Sequence, residues 1–313
     1  MDNNIGMGTG IGKIILMGEH AVVYGQPALA IPFPKVHIKT IIREIEGPVI
    51  LNCFFHRGLL SNAPKRLTGL LSVIGQIVYE FDEPLLGFRI DIESTIPPER
   101  GMGSSAAVAI ASIRALYNYF NRRLDGKKLN RWADVSERII HGNPSGIDIG
   151  IIMGEHPLYY IKGKPITPFI LKLDAHLVVA DTGEMGQTQV AVASVRELLE
   201  SNPQKGNTLI KQLGDLANRS MDYIEAKEIK GLGECMTKAH ILLGELGVSN
   251  NSLDNLVSIA LDNGALGAKL TGGGRGGSMI ALAANKEQAN RISDALIIGG
   301  AKNTWILNMG AGS

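Results

Sequence analysis

The stretch Pro97–Ala111, PPERGMGSSAAVAIA, limits the possible folds more than any other part of the chain. Pro97 and Pro98 fix φ and withhold an N–H, so no strand ladder runs through them. Gly101 and Gly103 allow backbone angles that other residues resist. Ser104 or Ser105 is placed to cap a helix, and the alanine-rich run predicts that helix to about Asn121. Backbone N–H groups gathered at a helix N-terminus suit an anion. Ala106, Ala107, Ala109 and Ala111 keep bulk away from the turn, which leaves room for a large one. The same residues fit a flexible turn before an ordinary helix. GMGSSA also spells G-x-G-x-x-A, but a dinucleotide site needs its first glycine directly after a strand, and PPER intervenes.

Two further glycine clusters flank this one. The first, GTGIGKII, nearly spells a phosphate-binding P-loop. That pattern needs glycine at position 7 and serine or threonine at 14, where the chain has Met7 and Ile14. Lys13 alone reads as a lysine snorkelling from a strand end. The last cluster, LTGGGRGGSM, has more glycine than a hairpin turn needs. It suggests backbone pressed against a partner such as a phosphate, with Arg275 adding local positive charge.

The elements around these clusters follow from periodicity. KIILM, Val36–Glu44 and GFRIDIES read as strands, and GEHAVVYGQPALAI as turns. Residues 64–81 repeat apolar residues at helical spacing. A second helix runs from about 129 to 141, with Trp132, Val135, Ile139 and Ile140 on its apolar side. It ends where Gly142, Pro144 and Gly146 force a loop. KPITP, Lys164–Pro168, reads as a crossing between domains. HLVVAD is a buried strand, followed by helices at about 187–201, 204–226, 230–246 and 251–263. AKLT, SMIALA and TWILN read as strands, with a helix at 286–298 before the last. The fold class is α+β, with the domain boundary placed at 172/173.

A chain of 313 residues with 45% hydrophobic and 19% charged residues can bury a sizeable core. A net charge of +1 gives no bulk attraction to nucleic acid or membrane. Two cysteines, Cys53 and Cys235, form neither a disulfide framework nor a metal spacing. The N-terminus lacks a secretory pattern, and no apolar run nears the roughly 20 residues of a membrane span. These features place the chain in the cytoplasm.

Several polar residues stand out. Glu19 and His20, in GEHAVVYG, suit either a solvated turn or a polar wall for a small substrate bearing carboxylate and hydroxyl groups. Glu137 lies on the helix face away from Trp132. Asp148 precedes the apolar IGIIM, so its carboxylate is at least partly buried and needs a partner, for which Lys13 is a candidate. A helix cap or structural ion pair would use the same residues.

KIILMGEHAVVYGQPALA, PPERGMGSSAA and KLTGGGRGGSM, in that order and spanning nearly the whole chain, resemble the three motifs of the GHMP kinase superfamily. GEHAVVYG and ERIIHGNPSGID are most similar to its mevalonate kinase branch. The resemblance implies two domains: an N-terminal half (1–172) like the second domain of ribosomal protein S5, and a ferredoxin-like C-terminal half (173–313) with added helices. It implies ATP as phosphoryl donor, Mg²⁺ and mevalonate as acceptor, with the nucleotide between the halves. Asp148 would be the catalytic aspartate and Lys13 the lysine beside it. Glu19, His20 and Thr188 would contact mevalonate. Pro98, Gly101, Met102, Gly103, Ser104, Ser105 and Ala106, with Gly273 and Gly274, would meet ATP. Glu137 and one of Ser104 and Ser105 would hold Mg²⁺. Members of the family are commonly homodimers. Arg275 departs from the small residue many relatives carry. The alternatives are another kinase of the superfamily, for phosphomevalonate or homoserine, and a sensor that binds nucleotide without catalysis. Asp148, Lys13 and Glu137 are all present, which argues against the sensor.

Overall fold

A computed structural model describes residues 4–141 and 146–310. The chain divides into two compact units. The first takes Met1–Lys13, Val36–Pro97 and Gly103–Gly154; the second takes Ile14–Lys35, Pro98–Met102 and Glu155–Ser313.

Strand β1 (Ile5–Met17) begins well before KIILM, and in its first half the usual pattern is reversed. Ile5 and Met7 face solvent while Gly6, Gly8 and Gly10 face inward. Helix α2 (Ser104–Tyr119) is the reason. A Cβ on Gly8 would lie 2.1 Å from the Ala111 carbonyl oxygen, one on Gly10 2.4 Å from that of Ala107, and one on Gly6 2.5 Å from that of Ala115. Two strand residues advance about 6.6 Å and four helix residues about 6 Å, so glycines at every second position match alanines at every fourth. The first glycine cluster is therefore a bare strand face against a helix. The alanine run of α2 supplies the other side of that contact, whatever room it also leaves at the turn.

The rest of the first unit is built around α2. Residues Ile38–Pro48 of β2 (Pro27–Pro48) pair antiparallel with β5 (Leu86–Ser94). β3 (Ile50–Cys53) pairs parallel with β5 and antiparallel with β4 (His56–Leu59). Helix α1 (Thr68–Glu80) buries Leu70, Val73, Ile74, Ile77 and Val78, the stripe its spacing predicts. Helices α3 (Gly126–His141) and α4 (Ile147–Gly154) pack with α1 and α2. Asp125 accepts from the Lys128 N–H at 2.8 Å, capping α3 three residues earlier than its apolar pattern begins. The buried face of α3 runs through Leu129, Trp132, Ala133, Ser136 and Glu137, whereas Ile139 and Ile140 are exposed. Glu137 is therefore on the buried face and not turned away from the core. Trp132 Nε1 donates to the Tyr117 hydroxyl at 2.9 Å, so the polar tip of each buried ring is satisfied. Gly142 and Pro144 lie outside the described residues.

In the second unit β2 starts at Pro27, so PALAI is strand and not turn; Pro27–Ala30 pair with β6 (Leu158–Ile161). β7 (Thr167–Pro168) pairs with β6, which places the end of KPITP in a short hairpin inside this unit instead of a crossing segment. β8 (His176–Asp181), β9 (Gly267–Thr271), β10 (Ser278–Ala283) and β11 (Asn303–Asn308) form a sheet in the order β11-β8-β10-β9. Every neighbouring pair is antiparallel, so β8 runs parallel to β9 and β10 to β11, each with a strand between. This is the split βαβ arrangement of ferredoxin-like domains. Helix α5 (Thr188–Ser201), α6 (Pro203–Ala226), α7 (Ile229–Glu245) and α8 (Asn251–Asp262) lie between β8 and β9 in sequence, and α9 (Lys286–Ile298) between β10 and β11. Asn202, Asn250 and Asn285 cap α6, α8 and α9 through their side chains, with Pro203 opening α6. Among the described residues no helix is long and apolar enough to cross a membrane.

Candidate active site

In the first unit the chemistry gathers at the end of the glycine face of β1. Lys13 is buried, with Nζ 3.0 Å from Asp148 Oδ1. Its stem occupies the space beside Gly103, where a Cβ would lie 2.7 Å from Lys13 Cγ. Gly103 also has φ 73°, a left-handed conformation that favours glycine. A snorkelling role for Lys13 is excluded by its burial. Asp148 sits in the first turn of α4 and keeps about a third of its side chain accessible.

Helix α2 begins at Ser104 with Gly103 as its N-cap, and no side chain caps it. Ser104 and Ser105 are thus inside the first turn, a correction to the expected capping role. Their place leaves the N-terminal N–H groups of the helix without a side-chain cap. The Ser105 hydroxyl donates to Glu137 Oε1 at 2.7 Å, joining α2 to α3. A carboxylate on the buried face of α3 is explained by this polar neighbour.

A second group lies in the second unit, on β9 and the loop after it. His20 Nε2 lies 3.0 Å from the Gly273 carbonyl oxygen. A carbonyl can only accept, so Nε2 carries the proton and Nδ1 of the neutral ring is left as an acceptor. Burial lowers the His20 pKa to about 4, with the Gly273 hydrogen bond opposing and the Lys269 charge adding to the effect. Thr188, the first residue of α5, stands against Gly273; a Cβ there would lie 2.0 Å from its hydroxyl oxygen. Glu19 is buried and ion-paired with Lys269. Glu19 and His20, distant in sequence from Thr188, are therefore tied with it to one short stretch of chain.

The glycine loop 272–277 is pressed against protein. Gly272 meets Gly101, Gly274 meets the Val248 carbonyl and Gly276 that of Met185. Arg275 donates through Nε to the Gly247 carbonyl and through a terminal nitrogen to Ser194 Oγ, both at 2.9 Å. It secures the turn after α7 and does not point to solvent; both acceptors are neutral, so its positive charge remains.

Two features escaped the sequence reading. Lys269 is wholly buried in β9, and a lysine inside the apolar run GAKLT was the available signal. Burial lowers its pKa, outweighing the opposing pull of Glu19. Arg100 pairs through Nε with Asp181 Oδ1 at 2.7 Å and donates to the Gly183 carbonyl at 2.8 Å. That pair fastens residues 98–102, including Pro98, Gly101 and Met102, to the end of β8. A charged residue closing the apolar strand HLVVAD was its only trace in the sequence.

Residues 70–155 match the model of the GHMP kinases N terminal domain and residues 220–302 that of the GHMP kinases C terminal domain, which defines the class as a GHMP kinase. The mevalonate kinase of Pyrococcus furiosus is 33% identical, covering 92% of this chain and 91% of the relative. The crystal structure of mevalonate kinase from methicillin-resistant Staphylococcus aureus is 35% identical with a TM-score of 0.75, covering 98% of this chain and 100% of that one. That of L. major mevalonate kinase in complex with R-mevalonate is 25% identical with a TM-score of 0.81, covering 98% and 96%. The chain belongs to the mevalonate kinase family of the GHMP kinases.

Proposed function

We propose that the chain transfers the γ-phosphoryl group of ATP to the primary hydroxyl of mevalonate, giving 5-phosphomevalonate and ADP in the route to isoprenoids. The observation that carries this reading is the Lys13–Asp148 pair, a buried ammonium against a carboxylate that solvent still reaches. Phosphoryl transfer asks a protein mainly for positioning and charge stabilisation. Asp148 accepts the proton of the attacking hydroxyl. The Lys13 ammonium offsets charge on the transferring group. In the first unit the N-terminal turn of α2, with Gly103, Ser104, Ser105 and Ala106, suits phosphate oxygens, and in the second unit Pro98, Gly101, Met102, Gly273 and Gly274 are the residues assigned to ATP. Glu19, Thr188 and Nδ1 of His20 hold the acceptor, His20 by accepting from one of its hydroxyls. The functional boundary at 172/173 keeps each matched domain model whole.

The donors expected to hold Mg²⁺ fit that ion. Ser105, or Ser104 beside it, and Glu137 offer a hydroxyl and a carboxylate, both hard oxygen donors. Among the described residues no group of three or more His, Cys, Asp or Glu is placed to hold a metal. Mg²⁺ commonly takes one or two carboxylates and completes its shell with phosphate and water. When bound, it neutralises charge on the phosphate oxygens.

The same reading carries a homodimer, which sedimentation velocity would test, and a cytoplasmic setting. The activity is tested by coupled ADP release with mevalonate, phosphomevalonate, homoserine and galactose. Turnover with mevalonate alone is expected; strong turnover only with another acceptor overturns the reading.

A further inference from the structure

Lys269 takes no part in the chemistry above, yet its side chain is wholly buried. Burial of an ion pair does not explain itself, because an apolar pair of similar volume is often as stable or more so. The position of Lys269 is more informative. Side chains at alternate residues of a strand face one way. Lys269 and Thr271 lie at alternate positions of β9 and both reach the segment 15–20, and in the turn just beyond the strand Gly273 reaches it through its backbone. Lys269 Nζ pairs with Glu19 Oε1, the Thr271 hydroxyl donates to the Ile15 carbonyl at 2.8 Å, and the Gly273 carbonyl meets His20 Nε2. Lys269 Nζ also donates to the Leu270 carbonyl at 2.7 Å, which fixes the ammonium in place. Of these contacts, the one from Lys269 acts on the charge of a side chain assigned to the acceptor.

The geometry points to Lys269 as a positioning residue for the acceptor: with the Glu19 side chain only 1% exposed, it holds that buried carboxylate in one orientation and with it the turn that carries His20. The inference rests on the acceptor role proposed for Glu19. Lys269 itself touches no substrate and acts through Glu19.

The test is a double-mutant cycle with Lys269→Met, Glu19→Gln and the two combined, reading KM for each substrate and kcat separately. Lys269→Met is expected to raise KM for mevalonate about tenfold and to leave KM for ATP within about twofold, a split that general loosening of the fold would not produce. The double variant is expected to match Glu19→Gln alone, since one residue acts through the other. An unchanged KM for mevalonate in Lys269→Met overturns the inference, and so do independent, multiplying effects. If Lys269→Met does not fold, the double variant leaves no unpaired buried charge and is compared with Glu19→Gln. Equal KM values then support the inference, and a further tenfold rise removes it. Wild-type protein that ignores mevalonate would instead overturn the functional reading.

Discussion

Lys13 and Asp148 face each other with Nζ 3.0 Å from Oδ1, at side-chain exposures of 7% and 29%. The ammonium is sealed while the carboxylate can still be reached. Asp148→Asn keeps the shape and removes the proposed proton acceptor. It is expected to lower kcat by about 100-fold or more, the usual scale for a lost acid–base group. ATP affinity, read by equilibrium binding, should change little. Near-normal turnover would remove Asp148 from the chemistry.

Ser105 and Glu137 share a hydrogen bond between α2 and α3. If they hold the metal, Glu137→Gln and Ser105→Ala each raise the Mg²⁺ concentration for half-maximal activity. Ser104→Ala should do so less, because Ser105 is the serine in contact with Glu137. A metal titration that is identical in all three variants would assign the pair to structure alone.

Gly8 has no space for a side chain, with the Ala111 carbonyl 2.1 Å from a built Cβ. Gly8→Ala must push β1 away from α2, at a cost of about 1–3 kcal/mol. Urea unfolding measures it. Thr9→Ala, one residue on and exposed, should stay within about 0.5 kcal/mol of wild type. Equal stabilities would mean that strand and helix separate freely.

His20 gives acid sensitivity with a defined sign. Its pKa is about 4 in the fold against an ordinary value of 6.5, so between those values the unfolded chain binds the extra proton. The stability linked to His20 is intact above about pH 6.5 and declines as pH falls toward 4. In urea unfolding across that range, His20→Gln should show a shallower decline than wild type. Parallel curves would place the acid sensitivity elsewhere.

The sequence reading succeeded where local chemistry decides structure. The helices of the second unit were legible because apolar spacing sustains them, and the structure adds side-chain caps from Asn202, Asn250 and Asn285 at three of their starts. Lys13 and Asp148 were legible as a pair because a carboxylate before IGIIM calls for a cation. Misreadings arose where a tertiary contact reversed a local rule. The first glycine cluster lay outside the expected strand KIILM because strands disfavour glycine, and only the opposing helix explains a strand through Gly6, Gly8 and Gly10. Glu137 was placed away from Trp132, and the sequence could not show that Ser105, on another helix, gives its buried carboxylate a polar neighbour. Arg275 read as local positive charge in a glycine loop, and its hydrogen bond to a carbonyl 28 residues earlier was hidden because no local pattern announces it.

The Glu19–Lys269 contact joins residues 250 positions apart. During synthesis from the N-terminus, the carboxylate emerges long before the ammonium that pairs with it. The first unit can gather its three segments once Gly154 has appeared, whereas the second unit must keep Ile14–Lys35 waiting for β9. A chain halted before residue 269 would hold Lys13 and Asp148 but could not complete the surroundings of Glu19 and His20. Completion of the surroundings of Glu19 is thus a late event, set by the order in which the chain is made.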